Sequence, residues 1–300
     1  MTREPTPCRE GDHGKFEITE RDGWARLGKL HTSTHVLNTP CLLPVINPNI
    51  RTVEPREMWE KYGFEALITN SYVIWKNERL KEEALVDGVH KLLDYPGVIM
   101  TDSGTFQNYV YGDVEVGAEE IVTFQREIEV DIATMLDVFA TPDMSREEVQ
   151  QAVQETISRA PASLEAAEQT MLNGPIQGGI HSDLRKESAV GMAEHEFAIH
   201  PIGGIVPLME RQRYRELVEI ILACREHIPW NRPIHIFGCG HPHLFPICVA
   251  LGADLFDSAA YALFARDDRM LMPWGTVKLG DLSEFPISTE ALAGHTPETV

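Results

Sequence analysis

The stretch EALITNSYVIWKNERLKEEALVDGVHKLLDYPGVIMT (65–101) contains one complete strand–helix–strand pattern. Two short apolar runs, EALIT (65–69) and GVIMT (97–101), flank an amphipathic helical stretch, NERLKEEAL (77–85). Strands joined through a helix run parallel, because a tight hairpin would make them antiparallel. The stretch therefore predicts two neighbouring parallel strands and the helix that connects them.

The same alternation continues along nearly the whole chain. The other predicted strands are CLLPV (41–45), IATML (132–136), GPIQ (174–177), FAIHPI (197–202), PIHIF (233–237) and DLF (254–256). Eight such units predict an α/β fold of the (β/α)8 TIM-barrel type. The competing architecture, an open doubly wound sheet, usually has a glycine-rich nucleotide loop after its first strand. Residues 46–55 read INPNIRTVEP instead, which favours the closed barrel.

Two local patterns support the predicted helices. Ser145 followed by Glu148 is a capping box, and it marks the start of a helix. The apolar side chains of the predicted helix over ERQRYRELVEIILACREH recur at helical spacing, so they are expected to face the core. They are Leu217, Ile220, Ile221 and Cys224.

Size and composition predict one large domain rather than several. A chain of 300 residues with 43% hydrophobic residues is long enough for a barrel of roughly 250 residues. We expect a flexible tail at 1–14, the barrel at 15–273 and a short appendage at 274–300. No apolar run of about 18 residues and no secretory signal are found, so a cytoplasmic protein without a membrane span is expected.

The formal net charge of −20 limits how the chain binds nucleic acid. Phosphate contacts need Lys and Arg, so strong non-specific binding is disfavoured. An RNA substrate would require a local basic patch or a separate basic subunit. The five cysteines are widely spaced and include no CxxC pair, which indicates reduced thiols rather than a disulfide framework.

Polar residues follow the predicted strands, at the end of a barrel where catalytic groups lie. They are Asp102, Ser103, Phe106 and Gln107 after the third strand, Asp137 after the fourth, Gln177 after the fifth, Gly203 and Gly204 after the sixth, and Asp257 after the eighth. Taken singly, each of them is equally consistent with a cap or a tight turn. Taken together, they are typical of a catalytic site.

Two carboxylates on opposite sides of a sugar can perform covalent glycosyl transfer, because one attacks the anomeric carbon and the other moves protons on the leaving group. A further carboxylate, a glutamine and backbone amides can bind the donors and acceptors of a purine edge. Phe106 would stack on the base. The HxH pair His241 and His243, with His235 nearby, also suits zinc, but further ligands on other strands are missing, so no metal is expected.

Several segments resemble the tRNA-guanine transglycosylases, in particular their archaeal, archaeosine-forming branch. The similar segments are LLPVINPN (42–49), ITNSYVI (68–74), IMTDSGTFQ (99–107), PIQGGIHSDLR (175–185), PIGGIVPLM (201–209), HIFGCGHP (235–242) and ALGADLFDSAAYALFARDDR (250–269). The resemblance extends from about residue 16 to residue 286 and is most specific in the last segment.

The resemblance implies a barrel that exchanges a base in two steps through a covalent ribose adduct. Asp257 would be the nucleophile and Asp102 the general acid and base. Asp137, Gln177 and the backbone of Gly203 and Gly204 would bind the guanine edge. Ser103 and Gln107 would support the pocket, and Phe106 would form its stacking wall. The implied substrates are tRNA, with a D-loop guanine as target, and 7-cyano-7-deazaguanine or guanine as incoming base, with no cofactor.

One segment departs from the family pattern. The family's zinc subdomain has a CxCxxC run, but Ile287, Thr289 and Leu292 occupy the corresponding positions here, so no structural zinc is expected. The chain also stops before the family's usual C-terminal RNA-binding modules. Together with the acidic charge, these departures predict a split enzyme with a separate PUA-type RNA-binding subunit, or else a homo-oligomer.

Three alternative functions remain open. A related transglycosylase would insert a 7-deazapurine into DNA, and a non-catalytic relative would only bind RNA or a partner subunit. A glycoside hydrolase using Asp102 and Asp257 is the third, and it would leave the purine-binding set without a role.

Overall fold

A computed structural model describes residues 5–9, 11–105 and 116–280. The strands are β1 (Phe16–Asp22), β2 (Ala25–His31), β3 (Val36–Thr39), β4 (Cys41–Ile46), β5 (Ala66–Asn70), β6 (Val98–Asp102), β7 (Ile132–Thr134), β8 (Met171–Asn173), β9 (His200–Ile202), β10 (Ile234–Ile236), β11 (Leu255–Ser258), β12 (Arg269–Met272) and β13 (Gly275–Lys278).

The helices are α1 (Pro55–Glu60), α2 (Ser71–Lys76), α3 (Glu78–Asp87), α4 (Val89–Leu93), α5 (Ala118–Glu127), α6 (Arg146–Ser158), α7 (Ala160–Ala167), α8 (Ser182–Ala193), α9 (Val206–Glu210), α10 (Tyr214–Arg225), α11 (Phe245–Ala250) and α12 (Ala260–Arg266), with a 3-10 turn at Pro242–Leu244.

Strands β4 to β11 form one parallel eight-stranded sheet in the order β8-β7-β6-β5-β4-β11-β10-β9. Two isolated parallel bridges, Asn173 with Ile199 and Ile176 with Ile202, join its outer strands β8 and β9. The sheet is therefore closed into a barrel with helices around it, and the predicted (β/α)8 fold is confirmed. All carboxyl ends of the strands face one end of this barrel.

The fifth barrel strand is the one that the sequence placed wrongly. GPIQ (174–177) was expected to be this strand, but β8 is Met171–Asn173, and Ile176 makes only an isolated bridge. Pro175 has no N–H to donate to a ladder. A Cβ on Gly174 would lie 2.5 Å from the Phe197 ring, so this segment bends closely past a neighbouring side chain.

A second, antiparallel sheet formed by β1, β2 and β3 was not predicted. One of its faces is in water, so charged side chains alternate with buried ones and hide the apolar pattern. Its Phe16, Leu30 and Leu37 join the apolar cluster inside the barrel. The sheet covers the amino-terminal end of the barrel, opposite the cavity described below.

The helices pack on the outside of the barrel through a large apolar cluster. The side chains predicted to face the core from α10, Leu217, Ile220, Ile221 and Cys224, are buried there as expected. The predicted capping box at Ser145 and Glu148 is present at the start of α6. Among the residues that the structure describes, no helix is long and apolar enough to cross a membrane.

Candidate active site

The carboxyl ends of the barrel strands surround a cavity of about 890 Å³. Seven of the residues singled out from the sequence line it, and they come from five different strand ends. They are Asp102, Ser103, Asp137, Gln177, Gly203, Gly204 and Asp257. Residues far apart in the sequence thus meet in one cavity, as the barrel geometry requires.

Asp102 is the last residue of β6, and each of its carboxylate oxygens accepts a hydrogen bond. The Gly104 amide donates to Oδ1 over 2.8 Å, and the Asn70 side-chain amide donates to Oδ2 over 2.9 Å. The Asn70 side-chain oxygen Oδ1 in turn caps α2 by accepting from the Val73 amide. Asp102 is therefore held by two neutral donors that are themselves fixed by the backbone.

Asp137 and Gln177 form a second buried pair after β7 and β8. The Gln177 Nε2 donates to Asp137 Oδ2 over 2.5 Å, and its Oε1 accepts from the Ala140 amide over 3.3 Å. Both side chains are buried, at 8% and 1% exposure. The pair presents a carboxylate with a fixed amide at its side.

Two glycines allow this pair to form. A Cβ on Gly203 would lie 2.4 Å from Gln177 Nε2. Gly204 has a φ of +71°, and a Cβ there would lie 2.4 Å from the Ala140 carbonyl oxygen. Only glycine leaves space for the side chains on the neighbouring strand and adopts this backbone without strain. The Gly203 amide donates to the Ile176 carbonyl over 3.1 Å, so that donor is already used.

Asp257 lies on β11, three residues after the buried Asp254. Its Oδ1 accepts from the Gly238 amide and from His235 Nε2, both over 2.9 Å. Its Oδ2 has no hydrogen-bond partner among residues 5–9, 11–105 and 116–280. One oxygen is thus fixed, and the other is left available for a ligand.

The cavity is electrostatically unfavourable for negative charge. Burial, together with the nearby Asp137 and Asp257 carboxylates, raises the pKa of Asp102 to about 6, although its two hydrogen bonds act in the opposite direction. Burial also raises the pKa of Asp137 above its ordinary value, against hydrogen bonds from Thr105 and Gln177. Asp102 therefore exchanges a proton readily near neutral pH, as a general acid and base must.

The residues described do not offer a metal site. No group of three or more His, Cys, Asp and Glu side chains that could hold a metal ion occurs within that part of the chain. His235, one of the histidines considered as a ligand, instead contacts Asp257. His243 accepts or donates a hydrogen bond with the Tyr214 hydroxyl over 3.2 Å.

Comparison of the sequence with known protein families identifies the family of the chain. The model of the family described as "Queuine tRNA-ribosyltransferase" matches residues 21–290, which is most of the chain.

The chain belongs to this family.

Curated proteins similar to this chain match it over almost its whole length. Proteins named tRNA-guanine(15) transglycosylase from Methanopyrus kandleri and Pyrococcus abyssi are each 47% identical over 95% of this chain, and one from Thermoplasma acidophilum is 48% identical over 90%. The matched region covers 62%, 48% and 42% of those relatives. The chain thus spans about half the length of the curated relatives it matches.

The structure brings together most of the predicted set and adds partners for two of its aspartates. Phe106 and Gln107 lie outside the described residues, so their place in the site stays a prediction. Asn70, which donates to Asp102, was missed as a site residue, and His235, which contacts Asp257, was considered only as a metal ligand. Asn70 ends β5, so the strand-end rule that selected Asp102 also applies to it. His235 lies inside β10, and only its neighbour across the sheet reveals its role.

Proposed function

We propose that this member of the family exchanges guanine 15 in the D-loop of tRNA for 7-cyano-7-deazaguanine. The observation that carries the proposal is the convergence of Asp102, Asp137 and Asp257 in one cavity, with Asp257 offering one unpartnered carboxylate oxygen. The relatives named tRNA-guanine(15) transglycosylase support the choice of tRNA and of the position.

The proposed first step is attack of Asp257 Oδ2 on C1′ of the ribose. The C1′–N9 bond breaks, and its electron pair leaves with the guanine. Asp102 in its acid form donates a proton to the departing base. A carboxyl group whose pKa is about 6 keeps a usable fraction of that acid form at neutral pH. The product is a covalent ester between Asp257 and the RNA.

The second step reverses these roles. The incoming base gives its N9 proton to the Asp102 carboxylate, and N9 attacks C1′. The C1′–Oδ2 bond breaks with its electron pair on Oδ2, which restores the Asp257 carboxylate. The incoming base replaces the proton and the electron pair that left with guanine, so both aspartates return to their starting states and the exchange needs no cofactor.

Base recognition is proposed for Asp137, Gln177 and Gly204. The Asp137 carboxylate is an acceptor for the N1–H and exocyclic N–H₂ donors of a guanine-like base. The Gly204 amide has no partner within the described residues and is the donor left for the base carbonyl, since the Gly203 amide is bonded to Ile176. In this proposal Ser103 and Gln107 support the pocket, and Phe106 stacks on the base.

A partner subunit forms the last part of the proposal. With a net charge of −20, the chain is a weak ligand for RNA phosphates by itself. We therefore propose that a PUA-type RNA-binding subunit, or a second copy of the chain, contributes to the binding of tRNA. The chain would then be the catalytic subunit of a split enzyme.

The test is a base-exchange assay with radiolabelled guanine on tRNA and, in parallel, on duplex DNA. Exchange into tRNA alone, together with an RNA adduct that survives denaturing electrophoresis and disappears in Asp257→Asn, is the expected result. Exchange into DNA would favour the DNA-modifying alternative. Binding of tRNA without exchange or adduct, with and without a candidate PUA subunit, would favour the non-catalytic alternative.

A further inference from the structure

We propose that His235 is a positioning residue that selects which oxygen of Asp257 attacks the ribose and that speeds the breakdown of the covalent ester. The inference rests on the proposed function, because it concerns the nucleophile of that reaction. It assigns a task to a buried histidine that the sequence analysis considered only as a metal ligand.

The geometry of the pair defines the hydrogen bond. His235 Nε2 lies 2.9 Å from Asp257 Oδ1, and the histidine is fully buried. A carboxylate oxygen only accepts hydrogen bonds, so Nε2 must carry the proton. His235 Nδ1 is buried and has no hydrogen-bond partner among the described residues. The Phe237 ring packs edge-on against the imidazole, with 4.7 Å between the two ring centroids. The imidazole is thus held by packing and by one directed bond to the nucleophile.

This bond, with that of the Gly238 amide, occupies the same carboxylate oxygen. Two donors on Oδ1 orient the carboxylate so that Oδ2 is the oxygen directed to a ligand. In the covalent ester Oδ2 is bonded to C1′ and Oδ1 is the ester carbonyl oxygen. Both donors then remain in place on the atom that regains negative charge when the ester breaks.

The two half-reactions therefore depend on His235 in different ways. During ester formation the carboxylate loses charge, so donors on Oδ1 weaken its attack while they orient it. During ester breakdown the C1′–Oδ2 electron pair returns to the carboxylate, and the same donors, one of them on a fully buried histidine, stabilise the developing charge. Loss of the histidine donor should slow breakdown far more than formation.

The experiment compares His235→Met, which removes the donor, with His235→Gln, whose side-chain amide retains one. Adduct formation is followed with end-labelled tRNA, and breakdown is started by adding excess guanine to the preformed adduct. We expect His235→Met to break down about 10- to 100-fold more slowly and to accumulate adduct. Its affinity for tRNA should stay within roughly threefold, and His235→Gln should recover most of the breakdown rate.

A purely structural role gives a different result. Equal losses in formation and breakdown, or no rescue by His235→Gln in a folded protein, would overturn the inference. Should His235→Met fail to fold, nitrogen-15 NMR of histidine-labelled wild-type protein decides instead. An exchange-protected proton on Nε2 of His235, shifted in Asp257→Asn, is expected, and its absence would refute the proposed bond.

The outcome also separates this inference from the proposed function. If the wild-type chain forms no adduct with tRNA, with or without its partner, the proposed function fails, and the role of His235 fails with it. If the wild type forms and resolves the adduct and His235→Met does so at the same rates, only the role of His235 is wrong.

Discussion

The two ends of the barrel use the same residue type in opposite ways. At the amino-terminal end, Asp254 forms a two-point ion pair with Arg26, at 2.8 and 2.7 Å, and both side chains are inaccessible to solvent. At the carboxyl-terminal end, Asp257, three residues further along the chain, accepts from just two donors among the residues described, the Gly238 amide and His235. Within the described part of the chain, no Lys or Arg forms an ion pair with Asp102, Asp137 or Asp257.

A second strand repeats the contrast. Asp131, just before β7, accepts hydrogen bonds from Ser33 and the Ile99 amide, and its Oδ2 lies 3.1 Å from His90 Nε2. Burial would raise its pKa, yet these hydrogen bonds and the nearby imidazole hold the pKa below the ordinary value. For Asp137, just after β7, the effect of burial prevails and its pKa is raised. Carboxylates with a charged partner or several hydrogen-bond donors stabilise the closed, amino-terminal end of the barrel. Those without a cationic partner lie at the carboxyl-terminal end, where they remain available for a substrate.

The largest expected effect comes from a matched pair of substitutions, Asp257 on β11 and Asp254 just before it. Asp257→Asn should reduce base exchange by roughly 10⁴-fold or more, because it removes the proposed nucleophile, and should leave the fold intact. Asp254→Asn should lower the free energy of unfolding by about 3–5 kcal/mol, because Arg26 is left buried and unpaired. Denaturant unfolding and exchange kinetics on both variants measure the two effects.

Asp143→Asn is the control for this pair, since Asp143 forms an exposed ion pair with Arg211. Its effect on stability should be small, because solvent screens an exposed ion pair. The contrast between the barrel ends would be wrong if Asp254→Asn lowered the free energy of unfolding as little as Asp143→Asn does. It would also be wrong if Asp254→Asn abolished base exchange while the protein remained folded.

Asp102→Asn should slow exchange by roughly 10²- to 10⁴-fold, because the general acid and base is lost. It should also stabilise the fold at neutral pH. The raised pKa means that this group binds a proton more tightly in the folded protein than in the unfolded chain, so the contribution of Asp102 to wild-type stability falls as pH rises from about 4 to about 6. That contribution changes by about 3 kcal/mol over this interval.

Unfolding curves of wild type and Asp102→Asn at pH 4 and pH 7 measure this difference. The variant should lose less stability over that interval than the wild type. The opposite sign would show that Asp102 is stabilised as an anion, and the contrast with the amino-terminal end would then disappear.

Gly204→Ala should impair both stability and base binding. The alanine would have to adopt a φ of +71° and would place a Cβ 2.4 Å from the Ala140 carbonyl oxygen. We expect a loss of about 2–3 kcal/mol in unfolding free energy and a higher KM for the incoming base. Gly117→Ala, where the nearest atom would lie 3.9 Å from the Cβ, should cost less than about 1 kcal/mol and leave KM unchanged.

A smaller effect is expected at the exposed start of helix α6. Ser145→Ala removes the hydroxyl that caps α6, so the unfolding free energy should fall by about 1 kcal/mol. Exchange kinetics should not change, since the capping box is exposed on the outer helix layer. A change in kcat for this variant would indicate that the outer helices also determine the geometry of the site.

Much of the site follows from the sequence because the barrel has a simple rule. Once Asp102, Asp137, Gln177 and Asp257 are placed at strand ends, parallel strands carry them to one end of the closed sheet. The partners of these residues do not follow from that rule. His235 contacts Asp257 only because β10 and β11 pair with His235 beside Leu255, and no local pattern specifies this register.

The sequence by itself determined the repeated strand–helix pattern, the helix caps and buried faces, and the set of strand-end carboxylates, because these depend on periodicity and on chain order. Tertiary structure alone decided the true position of the fifth strand, the sheet that closes the amino-terminal end, and the partner of each aspartate. The physical reason is that a carboxylate's environment is set by neighbours from distant segments. An aspartate therefore stabilises the fold at the amino-terminal end of the barrel, and another aspartate remains available for a ligand at the carboxyl-terminal end.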